Sequence, residues 1–303
     1  MARLQRGNDP ECKLFQSFSE KGHYGGRTQP SSTRQGTYAV APSGELLASI
    51  NTNDPKRMAE MMRTALQKWR TLPKEKRLLP NGIESQSISR IERFYPENGL
   101  VLKVYSRDLE RKDLPNDWRA KAWNIDFAWF KKEEARSMLP DEIEAGVKNR
   151  IPLPLVHRLA ITAMVDNVRG QTLPFSPTAV ESAWLDVEVL KREGAIATIR
   201  ISGLTKTVEK GKWPIKGFED ANQFREQERG FDAKLLGFAR FDLSKGKFVE
   251  FDLIALGMRW GATQYNVRHD DLGPAPMGFY FTMASDSPSD RVAPAHFWTY
   301  GWR

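Results

Sequence analysis

The sequence predicts an α+β protein in which a small α/β unit precedes a curved antiparallel β-sheet, half-barrel-like and packed on a helix. Three observations carry this. Strand-length segments of alternating apolar and polar residues, separated by tight-turn residues, fill most of the second half of the 303-residue chain. A helical apolar stripe over 152–168 precedes them. A hairpin followed by a capped helix stands near the start. Length divides the chain into about two domains with cores of their own; in detail the segments are 1–75, 76–150, 151–284 and 285–303.

In the first segment, Asp9 as cap and Pro10 at the first helical position predict a helix over 9–21 with Leu14, Phe15 and Phe18 on one face, stopped by Gly22. HYGGRTQPSSTRQG is a loop. TYAVAP and ELLASI form a hairpin around Ser43-Gly44. Asn53-Asp54-Pro55 then opens a helix whose Met58, Met61, Met62, Ala65, Leu66 and Trp69 form one stripe covering the hairpin, ending before Pro73.

Segment 76–150 reads as connecting structure: a strand pair around Glu97-Asn98-Gly99, an aromatic stretch, and a short helix ending at Pro140. From 151 to 284 the helix PLPLVHRLAITAMVDNV is followed by strands SAWLDVEVL, AIATIRISG, FDAKLLGFARFDL, KFVEFDLIALGM and MGFYFTM. One wet face and one apolar face imply a curved sheet closed by the helix. Residues 209–230 interrupt it as a charged insertion. In the tail 285–303, a Ser/Pro spacer leads to Phe297, Trp298, Tyr300 and Trp302, an aromatic set that packs back as an edge strand or plug, or else anchors a partner.

The strand–turn–strand–helix order of residues 34–70, with Cys12 at the first turn of the preceding helix, resembles the second half of the thioredoxin fold. The set VHRLAITAMVDNVRGQ, GFDAKLLGFARFDL and FDLIALGMRWG resembles the C-terminal region of bacterial thioredoxin-domain-containing proteins with no assigned activity. That resemblance implies exported relatives, although MARLQRG has no apolar signal core. It also implies a truncated chain or a misassigned start, because the usual first strand–helix portion is missing.

Thioredoxin chemistry needs two thiols spaced Cys-x-x-Cys. Here Phe15 stands three residues after Cys12, the sole cysteine, and Arg34-Gln35-Gly36-Thr37 stands where the family places its proline. The module is therefore degenerate. Cys12 reads as a structural or vestigial thiol; the alternative is a one-cysteine redox site, which the helix N-terminus, Lys13 and His23 favour and Asp9 and Glu11 oppose.

The densest polar stretch, RWGATQYNVRHDDLGPAPMG, follows a strand and supplies the candidate ligand-binding residues: Arg259 and Trp260 at its entrance, then Tyr265, Asn266, Arg268, His269, Asp270 and Asp271. Read the other way, it is a capped turn in which Arg259 and Arg268 pair with the two aspartates. His157 sits on an apolar helix face and His23 in a loop.

The formal charge of +8 is concentrated at 56–77, where eight Lys/Arg face Glu60 and Glu75. Without zinc-finger spacing or a nucleic-acid-binding aromatic motif, this reads as a solvated basic face. No nucleotide, metal or hydrolase motif appears, no cofactor is implied, and no apolar run reaches transmembrane length. The expected function is that of a non-catalytic ligand-binding or structural protein with a small-molecule or polymer ligand.

Overall fold

A computed structural model describes residues 4–5, 7–8, 10–23, 34–78, 91–218 and 222–302. The Asp9 cap, the loop around Pro30 and residues 219–221 of the charged insertion lie outside these. The chain divides into two compact units, Met1–Ile88 and Ser89–Arg303, and is mixed α+β with mostly strands and few helices.

In the first unit, α1 (Pro10–Ser19) precedes a hairpin of β1 (Thr37–Val40) and β2 (Leu46–Ile50), then α2 (Pro55–Thr71) and a single turn, α3 (Lys74–Arg77). Gly44 takes φ +84°, which the reversal after Ala41 requires and a side chain would strain. Asp54 caps α2 by accepting from the N–H groups of Lys56 and Arg57, and Pro55 fills the first position, where no N–H is needed. Met61 and Ala65 are buried, and α2 packs on β2. The expected stripe is wider than the hairpin can cover, because Met62 and Leu66 stay exposed. Cys12 is fully buried.

The second unit is one open antiparallel sheet in the order β4-β3-β10-β9-β8-β7-β6-β5. Its strands are β3 (Leu100–Asp108), β4 (Trp123–Phe130), β5 (Lys148–Arg150), β6 (Val180–Glu193), β7 (Ile196–Trp213), β8 (Arg225–Asp242), β9 (Lys247–Trp260) and β10 (Ala275–Met283). Residues read from the sequence as a connecting segment thus supply three strands of this sheet. The strand pair expected around residues 97–99 does not form: residues 92–94 make a 3-10 turn, and β3 pairs with β10 and β4 instead. Nor does 209–230 interrupt the sheet. Its ends extend β7 and β8 in register, with Glu209 opposite Arg229, Lys210 opposite Glu228 and Lys212 opposite Glu226.

Helices α4 (Lys132–Ser137) and α5 (Leu153–Arg158) lie on the inner face; α5 continues through a π-turn over Leu159–Ala163, shorter than the helix expected to reach 168. One cluster joins them to inward residues from β3 to β10. Eight strands laid flat would span about 34 Å, against about 10–12 Å for a helix with its side chains. Yet the π-turn touches β4 near one edge and β6 and β7 near the other. The sheet therefore coils around the helix. Gly237 and Gly257 permit this curvature, since a Cβ at either would stand 2.3 Å or less from a neighbouring strand's carbonyl oxygen.

The tail packs back as a plug, not as a strand. Phe297, Tyr300 and Trp302 lie over Val101, Phe127 and Trp129 on the outer face. The Arg158 guanidinium stands 4.6 Å from the Tyr300 ring centre and 5.3 Å from that of Trp302, while donating to both Glu134 oxygens at 2.7 and 2.8 Å. Burial pushes the Tyr300 hydroxyl up to about 12. Arg158→Ala should lower unfolding free energy by about 2–3 kcal/mol through lost charge-assisted bonds and cation–π contacts. Urea denaturation measures this, and limited proteolysis should cut the variant's tail first.

Candidate functional site: the outer sheet face and the ion-pair network behind it

The polar loop after β9 brings most of its candidate residues together, but onto one another. Arg268 is fully buried and donates to Asp108 at 2.8 Å, to Asp166 at 2.8 and 2.9 Å, and to Asp271 at 3.2 Å. Arg169 reaches Asp108 at 2.8 Å and Asp271 at 2.9 Å. Arg111 pairs with Asp271 at 2.7 Å, and Arg259 also binds that carboxylate. Four guanidiniums thus meet three carboxylates.

Burial alone would raise Asp108 and Asp271. It is outweighed by Arg268 at the first and by Arg259 and Arg111 at the second, so both carboxyls lie below their ordinary range. Arg268 is raised despite its burial, which Asp166 and Asp108 outweigh. Arg169 is lowered by burial and by the charge of Arg268.

The other candidates are placed around this network. Asn266 closes the turn by accepting from the Thr263 N–H at 2.9 Å. The Trp260 indole lies against Gly230 and donates to Glu228 at 2.9 Å. His269 packs on Gly217, Tyr265 is exposed, and Asp270 pairs with Arg119 at 2.5 Å. His157 is half-buried, and His23 lies 2.9 Å from the Ser49 hydroxyl. Among the described residues, no three His, Cys, Asp or Glu side chains cluster as metal ligands. The loop holds chain segments together; Arg259, Trp260 and Asn266 also line a cavity with Asp166 and Arg229, but its free volume of about 20 Å³ has room only for water.

The outer face of the sheet differs. Register places Leu236, Ile254, Tyr280, Tyr105 and Ile125 side by side across β8, β9, β10, β3 and β4. In the adjoining row Lys234, Leu256, Gly278, Arg107 and Trp123 are neighbours, and Phe238 and Met258 flank the rows on β8 and β9. Eight of these apolar side chains are between 38% and 59% exposed. Contiguous exposure on that scale is uncommon for a surface that meets only water.

Within this face lies a groove of about 660 Å³, bounded by Tyr105, Trp123, Tyr280, Ile254, Leu256 and Leu109, with Arg107 and Lys121 as its charged lining. Tyr105 stacks between Trp123 and Tyr280 at 6.1 and 6.2 Å. The Tyr280 hydroxyl is raised mainly by its hydrogen bond to Asp252. The segment bearing Lys121 is fixed by Arg119, which bonds both Asp117 and Asp270. The candidate loop thus supports the groove wall.

Sequence reasoning did not single out these groove residues. A signal was present in LLGF and DLIALGM, where apolar residues also occupy the positions that alternation reserves for solvent. Comparison with protein-family models, curated proteins and solved structures finds no match for the chain.

Asp108, Asp271 and Asp290 all sit below ordinary carboxylate values, and Asp290 lies at about 2, held chiefly by Lys103. Their pairs contribute stability that is complete above the unfolded value near 4 and is lost as pH falls towards the folded values. The urea midpoint should therefore be flat from about pH 7 to 5 and decline below about pH 4. Asp271→Asn should cost about 3–5 kcal/mol by leaving buried guanidiniums uncompensated. Asp270→Asn, at the exposed pair, should cost under about 1 kcal/mol.

Proposed function

We propose that the protein is a non-catalytic binding protein whose outer-face groove takes a ligand with an apolar or aromatic body and one anionic group. The observation that carries this is the groove's composition: aromatic and aliphatic walls, with Arg107 and Lys121 as its charges and no carboxylate in the lining. Its volume falls within the several hundred Å³ usual for small-molecule sites, and a few polar groups among apolar walls is the usual lining. Among the described residues neither cation belongs to an ion pair, so each keeps its charge for a ligand; Arg107 bonds only a backbone carbonyl, that of Asp108.

In front of this unit we propose a degenerate thioredoxin-like module. Its support is the order α1, hairpin, α2, with Cys12 in the first turn of α1. The one-cysteine redox alternative is opposed by complete burial of that sulfur, since the attacking species must be an accessible thiolate. Cys12 should alkylate about a hundredfold more slowly in the folded protein than in urea at neutral pH. Alkylation at equal rates would instead favour the redox reading.

The binding proposal is tested with two fluorescent probes of similar body, anionic anilinonaphthalene sulfonate and neutral phenylnaphthylamine. Both should bind saturably, and Leu256→Asp or Trp123→Ala should weaken both about tenfold. Lys121→Ala should weaken only the anionic probe, by about threefold to tenfold. Because these side chains are exposed, the melting temperature should hold. Absence of saturable binding, or binding indifferent to all three substitutions, would refute the assignment.

A further inference from the structure

We infer that α2 carries a docking surface for an anionic lipid membrane, independently of the groove in the second unit. The helix has two apolar ridges, and the fold covers only one. Met61 and Ala65 are buried on the side of β2, whereas Met62 and Leu66 remain 56% and 54% exposed. At 100° per residue the uncovered ridge, Met62 and Leu66, lies beside Lys56, Arg63 and Arg70. Those three cations recur every seven residues and so form a line along the helix, about 10.5 Å apart.

Two neighbouring cations, Lys68 on the helix and Arg77 on the turn after it, are partly occupied at home. Lys68 donates to the Leu46 carbonyl at 2.8 Å, and Arg77 donates to the carbonyls of Leu72 and Arg70 while lying over Trp69. Lys56, Arg63 and Arg70 are exposed and, among the described residues, belong to no ion pair. From 56 to 77 eight basic residues face two acidic ones.

Charge complementarity selects an anionic partner, and the ridge beside the cations selects one with an apolar layer under its charge. A bilayer surface offers both at the right depth: phosphate and carboxylate headgroups for the basic line, acyl chains for Met62 and Leu66. A nucleic acid would use the cations alone and gain nothing from an unbranched thioether and a leucine.

The test uses the full chain and extruded vesicles of phosphatidylcholine, with or without about 30 mol % phosphatidylserine, read by flotation. Binding should be about tenfold stronger to the serine-containing vesicles and should weaken as salt is raised. The double substitution Met62→Asp with Leu66→Asp should reduce it about tenfold, and so should Arg63→Glu, each with the helical circular dichroism unchanged. Leu256→Asp should bind vesicles as the wild type does, which separates this result from failure of the groove. Equal affinity for both vesicle types, or wild-type binding by the Met62/Leu66 variant, would overturn the inference. Displacement by a single-stranded oligonucleotide that the Met62/Leu66 variant binds equally well would do so too, and would point to nucleic acid.

Discussion

The buried ion pairing among Asp108, Asp166, Asp271 and the four arginines around them is the constraint on which the groove-bearing end of the second unit depends. It joins three stretches far apart in sequence: the end of β3, the segment after α5, and the loop between β9 and β10. Apolar packing is non-directional and would tolerate small shifts among these stretches. The two-point bonds of Arg268 to Asp108 and Asp166 do not, because each fixes both distance and plane. Removing any one of the aspartates leaves buried guanidinium charge uncompensated, so the carboxylates act as a unit. Four arginines against three aspartates leave one formal positive charge; Arg169 is lowered first by burial and then by the charge of Arg268.

That rigidity matters because the groove is assembled on the outer side of the same strands. Asp108 turns inward to Arg268 while its neighbour Arg107 faces outward into the groove. Asp271 holds Arg111, two residues beyond Leu109, and Asp270 holds the segment carrying Lys121. Towards the other edge the apolar rows give way to ion pairs, Arg200 with Glu188 and Lys206 with Glu181. At the β3–β4 end the tail aromatics cover what would otherwise continue the apolar surface. The exposed area is thereby bounded on two sides.

Local features of the fold could be read from sequence because their causes are local. Asp54-Pro55 announces a helix start through its own hydrogen bonds, and FDAKLLGFARFDL announces a half-buried strand by alternation. Asn98-Gly99 misleads for the same reason: the turn residues are present, with Asn98 at φ +60°, but the described residues just before it, 91–96, hold a 3-10 turn instead of a strand. The extension of β7 and β8 through 209–213 and 225–230 was hidden because its residues are charged. Cross-strand partners in register, invisible until the strands are aligned, supply the pairing that an apolar face usually provides. The loop at 259–271 was legible as polar and dense. Its remote partners Asp108, Asp166, Arg169, Arg111 and Arg119 carried no local mark.

Polar density alone is therefore a poor guide to recognition in this chain, and the stoichiometry of charge is a better one. Where guanidiniums and carboxylates occur together, as around Arg268, they satisfy each other and hold the fold. A lone surface lysine means little, since water solvates it at no cost. What is unusual is an unpaired cation beside large apolar side chains that the fold leaves uncovered. Arg107 and Lys121 stand so beside Trp123 and Leu256, and Arg63 beside Met62 and Leu66. Exposed apolar area is a standing free-energy cost, and the adjacent charge limits what could relieve it to something that is itself amphipathic and negative.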